Sequence, residues 1–273
     1  MAKNYEELTF TDDFMFCKIM ESHPDLCREL LELILERKVG KLVEVNRQKP
    51  IEITADGKGV RFDVYAEDDQ KVIYEVEMQN AMKDSLSKRV RYSQGMIDLN
   101  LIERGKHYSE LNRSFIIFIC DFNLFKEIGR HKYSFANLCR EDSKIELGDE
   151  TEKIFLCAEG KMDDVSENLK IFLNYIAQGV PGNAFTNTLE YKVKEARIHK
   201  RWRTEYMTLL EHYEIERAEG RAEGLAEGIL GSITIMSEVG KSEEQMIEQL
   251  IKVYGISESD AKKYIEQHKI IVR

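Results

Sequence analysis

The chain has 273 residues, of which 42% are hydrophobic and 33% charged, and its formal net charge is −10. This composition is typical of a globular protein with a charge-rich surface, and the acidic balance argues mildly against a nucleic-acid binder. The 5 cysteines show no CxxC spacing, so we interpret them as reduced core residues and expect no zinc site. No apolar run reaches the roughly 20 residues of a membrane span, and no secretory pattern is present. We therefore expect a soluble cytoplasmic protein without a membrane partner.

Two helices are predicted at the start of the chain. Thr11-Asp12-Asp13 has the composition of a helix start, and apolar residues follow it at helical spacing. Pro24 separates this helix from a second one that ends near Gly40. Two short strand patterns follow at residues 42–45 and 50–53.

The segments 61–65 and 74–79 alternate polar and apolar residues, which predicts a β-hairpin with its turn at 67–70. One polar face carries Arg61, Asp63 and Tyr65 on the first strand and Glu75, Glu77 and Gln79 on the second. Because neighbouring carboxylates repel one another, such a cluster needs a counter-charge. A divalent cation is a natural counter-charge, and this patch is the first indication of an enzyme.

The rest of the first 160 residues alternates between helix and strand patterns. A long helix is predicted from Met82 to about Glu103, and the continuous apolar run at 114–120 predicts a strand buried on both faces. Further strands are predicted at 133–139 and 153–157. This order favours an α/β fold around a mixed sheet.

Beyond Asp164 the sequence is helical. We expect an α/β core at residues 1–160, a helical extension at 161–217, an Ala-Glu-Gly repeat at 218–241 and a two-helix module at 242–273. The repeat has a period of four, so its glycines form a slowly drifting stripe if it is helical. It is either a close helix contact, for example between subunits, or a pliable linker.

Asp63 and Glu77 offer the carboxylate oxygens that Mg²⁺ prefers, and the backbone carbonyl of Met78 is a candidate third ligand. With a turn centred at Asp69, Asp63 faces Glu75 directly and Glu77 is its diagonal neighbour, within reach of long side chains. The spacing therefore leaves the choice between Glu75 and Glu77 open.

Gln79 lies on the same face, two residues beyond Glu77. Its amide is able to orient an attacking water or to steady a scissile phosphate, but as a neutral group it does not act as a base. The alternation also fits an ordinary strand surface that faces solvent, and from spacing alone this second interpretation is the stronger one.

Asp63 and the run Glu77-Met78-Gln79 match the D…E-x-Q variant of the PD-(D/E)xK nuclease motif. The sequence from about 5 to 230, and in particular 11–18 and 61–68, resembles the Rpn-type recombination-promoting nucleases, a transposase-related group of that superfamily. The resemblance implies an α/β fold with a restriction-endonuclease-like αβββαβ core, a mixed sheet and a helical C-terminal extension.

The same resemblance implies a DNA endonuclease that depends on Mg²⁺, with Mn²⁺ as an alternative. Carried over to this sequence, Asp63 and Glu77 are metal ligands, together with the carbonyl of Met78, and Gln79 takes the place usually held by lysine. That departure removes a positive charge beside the phosphate, so we expect weak activity.

Four further residues are accessory candidates. Glu75 is the alternative acid of the hairpin, and Asp13 is a further acid supplied by the first helix, although we favour a capping or first-turn role for it. Arg89 and Tyr92, on the helix after the hairpin, are candidates for phosphate contacts, and Arg91, Lys83 and Lys88 lie close to them in the sequence. A solvated helix face explains this group equally well.

Two hypotheses follow. The first is a metal-dependent DNA endonuclease, associated with recombination or a mobile element, that forms a homo-oligomer through its C-terminal helices. The second is a non-catalytic relative whose nuclease fold only binds DNA or protein, supported by the missing lysine and the acidic net charge. We favour the first.

Overall fold

The computed structural model describes residues 3–51, 59–82, 85–102, 105–125 and 127–271. The chain forms two compact units, Met1–Arg203 and Thr204–Arg273. The predicted limits at 160, 217 and 241 stay a prediction.

The first unit is built on a six-stranded mixed sheet with the strand order β1-β2-β3-β4-β6-β5. Its strands are β1 (Leu42–Ile51), β2 (Val60–Asp68), β3 (Ile73–Gln79), β4 (Ser114–Cys120), β5 (Lys132–Phe135) and β6 (Thr151–Cys157). The first three strands are antiparallel, β4 runs parallel to β3 and β6, and β5 closes the far edge antiparallel to β6. Every residue of β4 is buried, as expected for its continuous apolar sequence in the middle of a sheet.

Five helices accompany the sheet in this unit: α1 (Asp13–Ser22), α2 (Pro24–Leu35), α3 (Leu86–Leu101), α4 (Glu167–Gln178) and α5 (Ala184–Arg197). Short 3-10 helices lie at Tyr5–Glu7 and Tyr108–Glu110. Parallel strands need a crossover between them, and α3 provides it between β3 and β4. The order of helix, three strands, helix and strand confirms the predicted αβββαβ core with a mixed sheet.

Two strand predictions differ from the structure. Residues 42–45 and the start of 50–53 belong to one strand, β1, because Pro50 lies on the outer strand of the sheet, where a missing N–H is tolerated. Residues 52 and 53 lie outside the described residues. The strand predicted at 133–139 ends at Phe135, beyond which Leu138 makes only an isolated bridge to Glu146.

The sheet face that α3 covers has an apolar core beside the predicted polar cluster. Leu86, Val90 and Ile97 of α3 pack there against Phe118 of β4 and Ile73 of β3. This packing fixes α3 against the strand that carries Glu75, Glu77 and Gln79, and so determines which α3 side chains reach the cluster.

The second unit is helical and contains most of α6 (Lys200–Glu238), with α7 (Glu243–Tyr254) and α8 (Glu258–Ile271). The three helices enclose a small apolar core formed by Ile229, Ile233, Met236, Met246, Leu250, Ala261 and Ile265. The Ala-Glu-Gly repeat is helical throughout, as part of α6. Within the described residues, every helix is too short or too polar to cross a lipid bilayer.

Candidate active site

The register of the β2–β3 hairpin decides which acids meet. The strands pair from Glu67 with Ile73 to Val64 with Val76, and Tyr65 faces Glu75. The turn is therefore centred at position 70, and the expectation that Asp63 faces Glu75 is wrong; in this register Asp63 falls opposite position 77. The turn is longer because the Asp68 carboxylate accepts hydrogen bonds inside it, from the backbone N–H groups of residues 70 and 72 at 2.9 Å.

The backbone pairing between β2 and β3 ends at Val64. At the next position, the side chain of Asp63 makes the contact between the two strands. Its Oδ2 accepts a hydrogen bond from the backbone N–H of Met78 at 3.2 Å. The N–H and carbonyl of one strand residue point to the same side. The carbonyl of Met78 therefore faces Asp63, whereas the carbonyl of Gln79 accepts from Asp121 on the side of β4.

Glu75, Glu77 and Gln79 are only 0%, 1% and 5% exposed. The alternative interpretation as a solvent-facing strand surface is therefore wrong. Among the described residues, no N–H or hydroxyl group donates to either carboxylate oxygen of Glu75 or to Oε1 of Glu77. A hydrogen bond between the two carboxyls raises the pKa of Glu75 and lowers that of Glu77. Charged carboxylates are costly to bury, so this cluster is stable at the centre of the sheet only with retained protons or with a positive partner.

The cost of burying these charges raises the pKa values of the carboxyl groups in the cluster. Burial raises the pKa of Asp63 to about 8, with further contributions from the charges of Asp13 and Glu77. Burial also raises the pKa of Glu75 and of Glu77, and the Arg89 guanidinium opposes the rise in all three carboxyls. Without a further cation, the cluster retains protons that ordinary carboxyls lose.

Helix α1 brings a second acid to Asp63. Ligand atoms of Asp13, Cys17 and Asp63 all lie within 4.8 Å of one another. The N-cap of α1 is Asp12, so Asp13 is the first residue of the helix, and its Oδ1 accepts from the Cys17 thiol at 3.3 Å. From its sequence context Cys17 is predicted only as a core residue. Its position one helical turn after Asp13 is the signal for this contact.

Helix α3 supplies a positive charge to the cluster, the guanidinium of Arg89. Arg89 Nη2 forms an ion pair with Glu77 Oε2, and Nη1 donates to Gln79 Oε1 at 3.2 Å. The Arg89 Cζ atom lies 5.7 Å from the ring centroid of Phe118. The other end of the Gln79 amide donates to the carbonyl of Ala81 at 2.8 Å. Both ends of this amide therefore have protein partners.

The remaining predicted residue lies outside the cluster. Tyr92, nearly one turn after Arg89 on α3, is 42% exposed and lies at the surface. Lys83 falls outside the described residues. The cluster itself consists of Asp13, Asp63, Glu75, Glu77 and Gln79 with Arg89, and its half-buried members Asp13, Asp63 and Arg89 form its open side.

The donors fit a hard divalent cation. Carboxylate and carbonyl oxygens are the ligands that Mg²⁺ and Mn²⁺ prefer. In the extended strand register Asp63 falls opposite Glu77, and the Met78 carbonyl lies on the side of Asp63. Among the described residues, the acids whose ligand atoms lie within 4.8 Å of one another are Asp13 and Asp63, together with the Cys17 thiol and without Glu77. The residues present therefore suit the ion that the motif implies.

Residues 11–176 match the family described as "PD-(D/E)XK nuclease family transposase". The chain belongs to this family. The match spans more than half of the chain and includes every residue of the acidic cluster, so the suspected relationship is confirmed. Searches among curated proteins and among solved structures gave no match. Membership in the PD-(D/E)XK family supports a nuclease-type function and explains why acids gather where two strands part.

Proposed function

We propose that this protein is a metal-dependent endonuclease that hydrolyses phosphodiester bonds of DNA. The observation that carries the proposal is the acidic cluster at Asp63, Glu75 and Glu77, in which two buried carboxyl groups lie beside a half-buried one, with one ion-paired guanidinium. Asp63, Glu77 and the Met78 carbonyl would hold Mg²⁺ or Mn²⁺. The family assignment supports DNA as the substrate and a role in recombination or in a mobile element.

The net reaction consumes one water and one phosphodiester, and it yields a phosphate monoester and a free hydroxyl group. A bound divalent cation would acidify the attacking water and offset the charge that develops on the phosphate. The chain's own contribution is positioning: the Met78 N–H orients Asp63, and Arg89 orients Glu77. Asp13 lies beside Asp63, where its carboxylate can accept a proton from a water molecule.

Specific observations favour a second candidate, a non-catalytic nuclease fold that binds DNA or protein. Gln79 stands in place of the usual lysine, and Glu77 is 1% exposed. The net charge of −10 also makes non-specific DNA attraction weak. The two candidates differ in one property, which is cleavage that depends on the cluster.

Plasmid nicking by the purified protein in Mg²⁺ and in Mn²⁺ tests the proposal. We expect nicking that EDTA abolishes and that Asp63→Asn removes. Glu77→Gln should reduce the rate more than Glu75→Gln, because Glu77 falls opposite Asp63 in the strand register while Glu75 lies deeper. For Glu75→Gln we expect a loss of at most about 10–100-fold, typical of residues that support ligands without binding the metal.

Three outcomes would contradict this assignment. Equal nicking by wild type and Asp63→Asn would place the activity elsewhere or in a contaminant. No nicking with either metal would favour the non-catalytic candidate. A larger loss in Glu75→Gln than in Glu77→Gln would show that the other acid binds the metal.

We also infer a cytoplasmic homo-oligomer that assembles through the C-terminal helices. The five cysteines are all free, which suits a reducing compartment. On α6, Leu225 and Ile235 are exposed apolar side chains, and Val239 is exposed directly after the helix. A Cβ added at Gly220 or Gly224 would meet no atom within 4 Å, so a second helix has room to approach closely there.

A further inference from the structure

The third position of the motif is Gln79, which carries no charge. A lysine there would bring a positive charge to the scissile phosphate, and Gln79 brings none. Gln79 is 5% exposed, its Nε2 is bound to the Ala81 carbonyl, and its Oε1 accepts from Arg89. The Gln79 amide is therefore neither exposed nor free to contact a substrate.

Arg89 is both positively charged and partly exposed to solvent, which Gln79 is not. Its side chain is 35% exposed, whereas its partner Glu77 is 1% exposed, so the guanidinium lies between the buried acids and solvent. Leu86 and Val90, which flank it on α3, are packed into the core and fix the helix in place. The charge of Arg89 also lowers the pKa of the Asp63, Glu75 and Glu77 carboxyls, against the rise that burial causes.

We propose that Arg89 supplies the positive charge at the scissile phosphate, and that Gln79 acts as a positioning residue that holds Arg89. The inference rests on the proposed endonuclease function. It assigns to helix α3 the positively charged side chain that the motif normally has on the strand. The positive charge that a lysine at position 79 would supply is then supplied by Arg89 of α3.

The chemistry of the guanidinium suits this role. Arginine stays charged at all accessible pH values and presents five N–H donors in a planar fork that matches phosphate oxygens. A cation bound at Glu77 would compete with Nη2 of Arg89 for that carboxylate, while Gln79 would still accept a hydrogen bond from Nη1. The N–H donors released in this way would be available to bind a phosphate oxygen.

In the reaction itself Arg89 gives hydrogen bonds and no proton. The water oxygen forms a bond to phosphorus, and the bond from phosphorus to the leaving sugar oxygen breaks. The water loses one proton and the leaving oxygen gains one. Arg89 stabilises the extra negative charge on the non-bridging oxygens as it develops.

The alternative is that Arg89 only neutralises Glu77 as a structural ion pair. Two matched variants separate the roles: Arg89→Lys keeps the charge, and Arg89→Gln keeps a donor without the charge. We expect kcat to fall on the order of 100-fold or more in Arg89→Gln, as for the loss of one transition-state donor. Arg89→Lys should retain at least about tenfold more activity than Arg89→Gln.

A double-mutant cycle tests the role of Gln79. Gln79→Met removes the acceptor for Arg89 and keeps a side chain of similar length. It should lower kcat in the wild-type background and have little further effect in Arg89→Gln, because Gln79 acts through Arg89. A purely structural Gln79 would cost the same in both backgrounds, which would overturn its positioning role.

DNA binding gives a readout independent of cleavage. Affinity for a short duplex is measured in Ca²⁺ by fluorescence anisotropy over a range of salt concentrations, with thermal unfolding as the folding control. Loss of one phosphate contact should reduce the slope of log K against log salt by about one in Arg89→Gln and leave it unchanged in Arg89→Lys.

Two further outcomes decide the proposal. If Arg89→Gln cleaves as fast as Arg89→Lys and shows the wild-type salt slope, Arg89 does not contact the phosphate and this inference fails while the endonuclease stands. If the wild type shows no cleavage that Asp63→Asn removes, the proposed function fails first, and this inference fails with it.

Discussion

Asp63 is an acid in a place that disfavours its charge. It is half-buried, it lies close to Asp13, and in the strand register it falls opposite Glu77. These surroundings raise the pKa of its carboxyl to about 8. Such a group is more stable protonated in the folded state, so the metal-free protein loses stability by placing it there. The same property makes the site responsive to a cation, since cation binding favours the ionised form.

The stability of the metal-free protein should therefore depend on pH through Asp63. Its pKa is about 4 in the unfolded chain and about 8 in the folded one. Between these values the folded state binds the extra proton, so the free energy of unfolding falls as pH rises from 4 to 8. We expect the melting temperature in EDTA to fall over this window, and to fall less in Asp63→Asn.

The control is the same pair of proteins with saturating Mg²⁺. The ion should raise the melting temperature of the wild type more at pH 8 than at pH 5, and it should have little effect on Asp63→Asn. Identical pH slopes for the two proteins in EDTA would show that Asp63 titrates near its ordinary pKa.

The β2–β3 hairpin is the element that sets the site, and its turn sets the register. Asp68, 1% exposed, accepts from the backbone of residues 70 and 72 and from the Tyr74 hydroxyl, each at 2.9 Å. Gly40 passes so close that a Cβ there would lie 2.9 Å from the Asp68 carboxylate. A buried carboxylate thus replaces the ordinary contacts of a short turn. The resulting register places Asp63 opposite Glu77.

Replacing Asp68 should show how firmly this turn is held. Asp68→Ala leaves four donors without their acceptor, the N–H groups of residues 40, 70 and 72 and the Tyr74 hydroxyl. We expect it to lower the free energy of unfolding by about 1–3 kcal/mol or more. Tyr74→Phe removes only one of these hydrogen bonds and should cost roughly 1 kcal/mol. Urea unfolding measures both. Equal losses in the two variants would mean that the backbone contacts of Asp68 contribute little.

On the scale of the whole molecule, the second unit is a small helical module on a long helix. Its core is formed by only seven buried residues from α6, α7 and α8. In the Ala-Glu-Gly repeat on α6, Gly220 and Gly224 are open, whereas Gly228 lies against Tyr254 of α7. Glycine in a helix interior costs about 1 kcal/mol against alanine, so three such residues weaken an isolated helix. A close contact with a second helix would offset that cost.

Filling the glycine column should disturb assembly. We expect the wild type to show a molar mass above that of the 31.9 kDa chain in light scattering. Gly220→Leu combined with Gly224→Leu should lower that mass, because the added side chains keep a second helix at a distance. Glu219→Leu with Glu223→Leu adds the same groups on a neighbouring column as the control. An unchanged mass in the glycine variant would contradict assembly through the repeat.

Much of the first unit was predictable because its signals are local. The alternation at 61–65 and 74–79, the apolar run at 114–120 and the helix start at Asp13 each depend on neighbours a few residues away. The resemblance in the D…E-x-Q motif and its surroundings then specified the αβββαβ core. Predictions that depended on a turn or on an edge were less accurate: β1 is continuous through Pro50, and the hairpin turn is one position later than expected.

By itself, the sequence determined the family, the order of elements and the face on which Asp63, Glu77 and Gln79 lie, because the two-residue repeat of a strand is written in the chain. Tertiary structure alone decided that this face is buried beneath α3, that Asp13 joins Asp63, and that Arg89 holds both Glu77 and Gln79. These contacts join residues 10 to 50 positions apart. They depend on how helices cross the sheet, and no local periodicity encodes that packing.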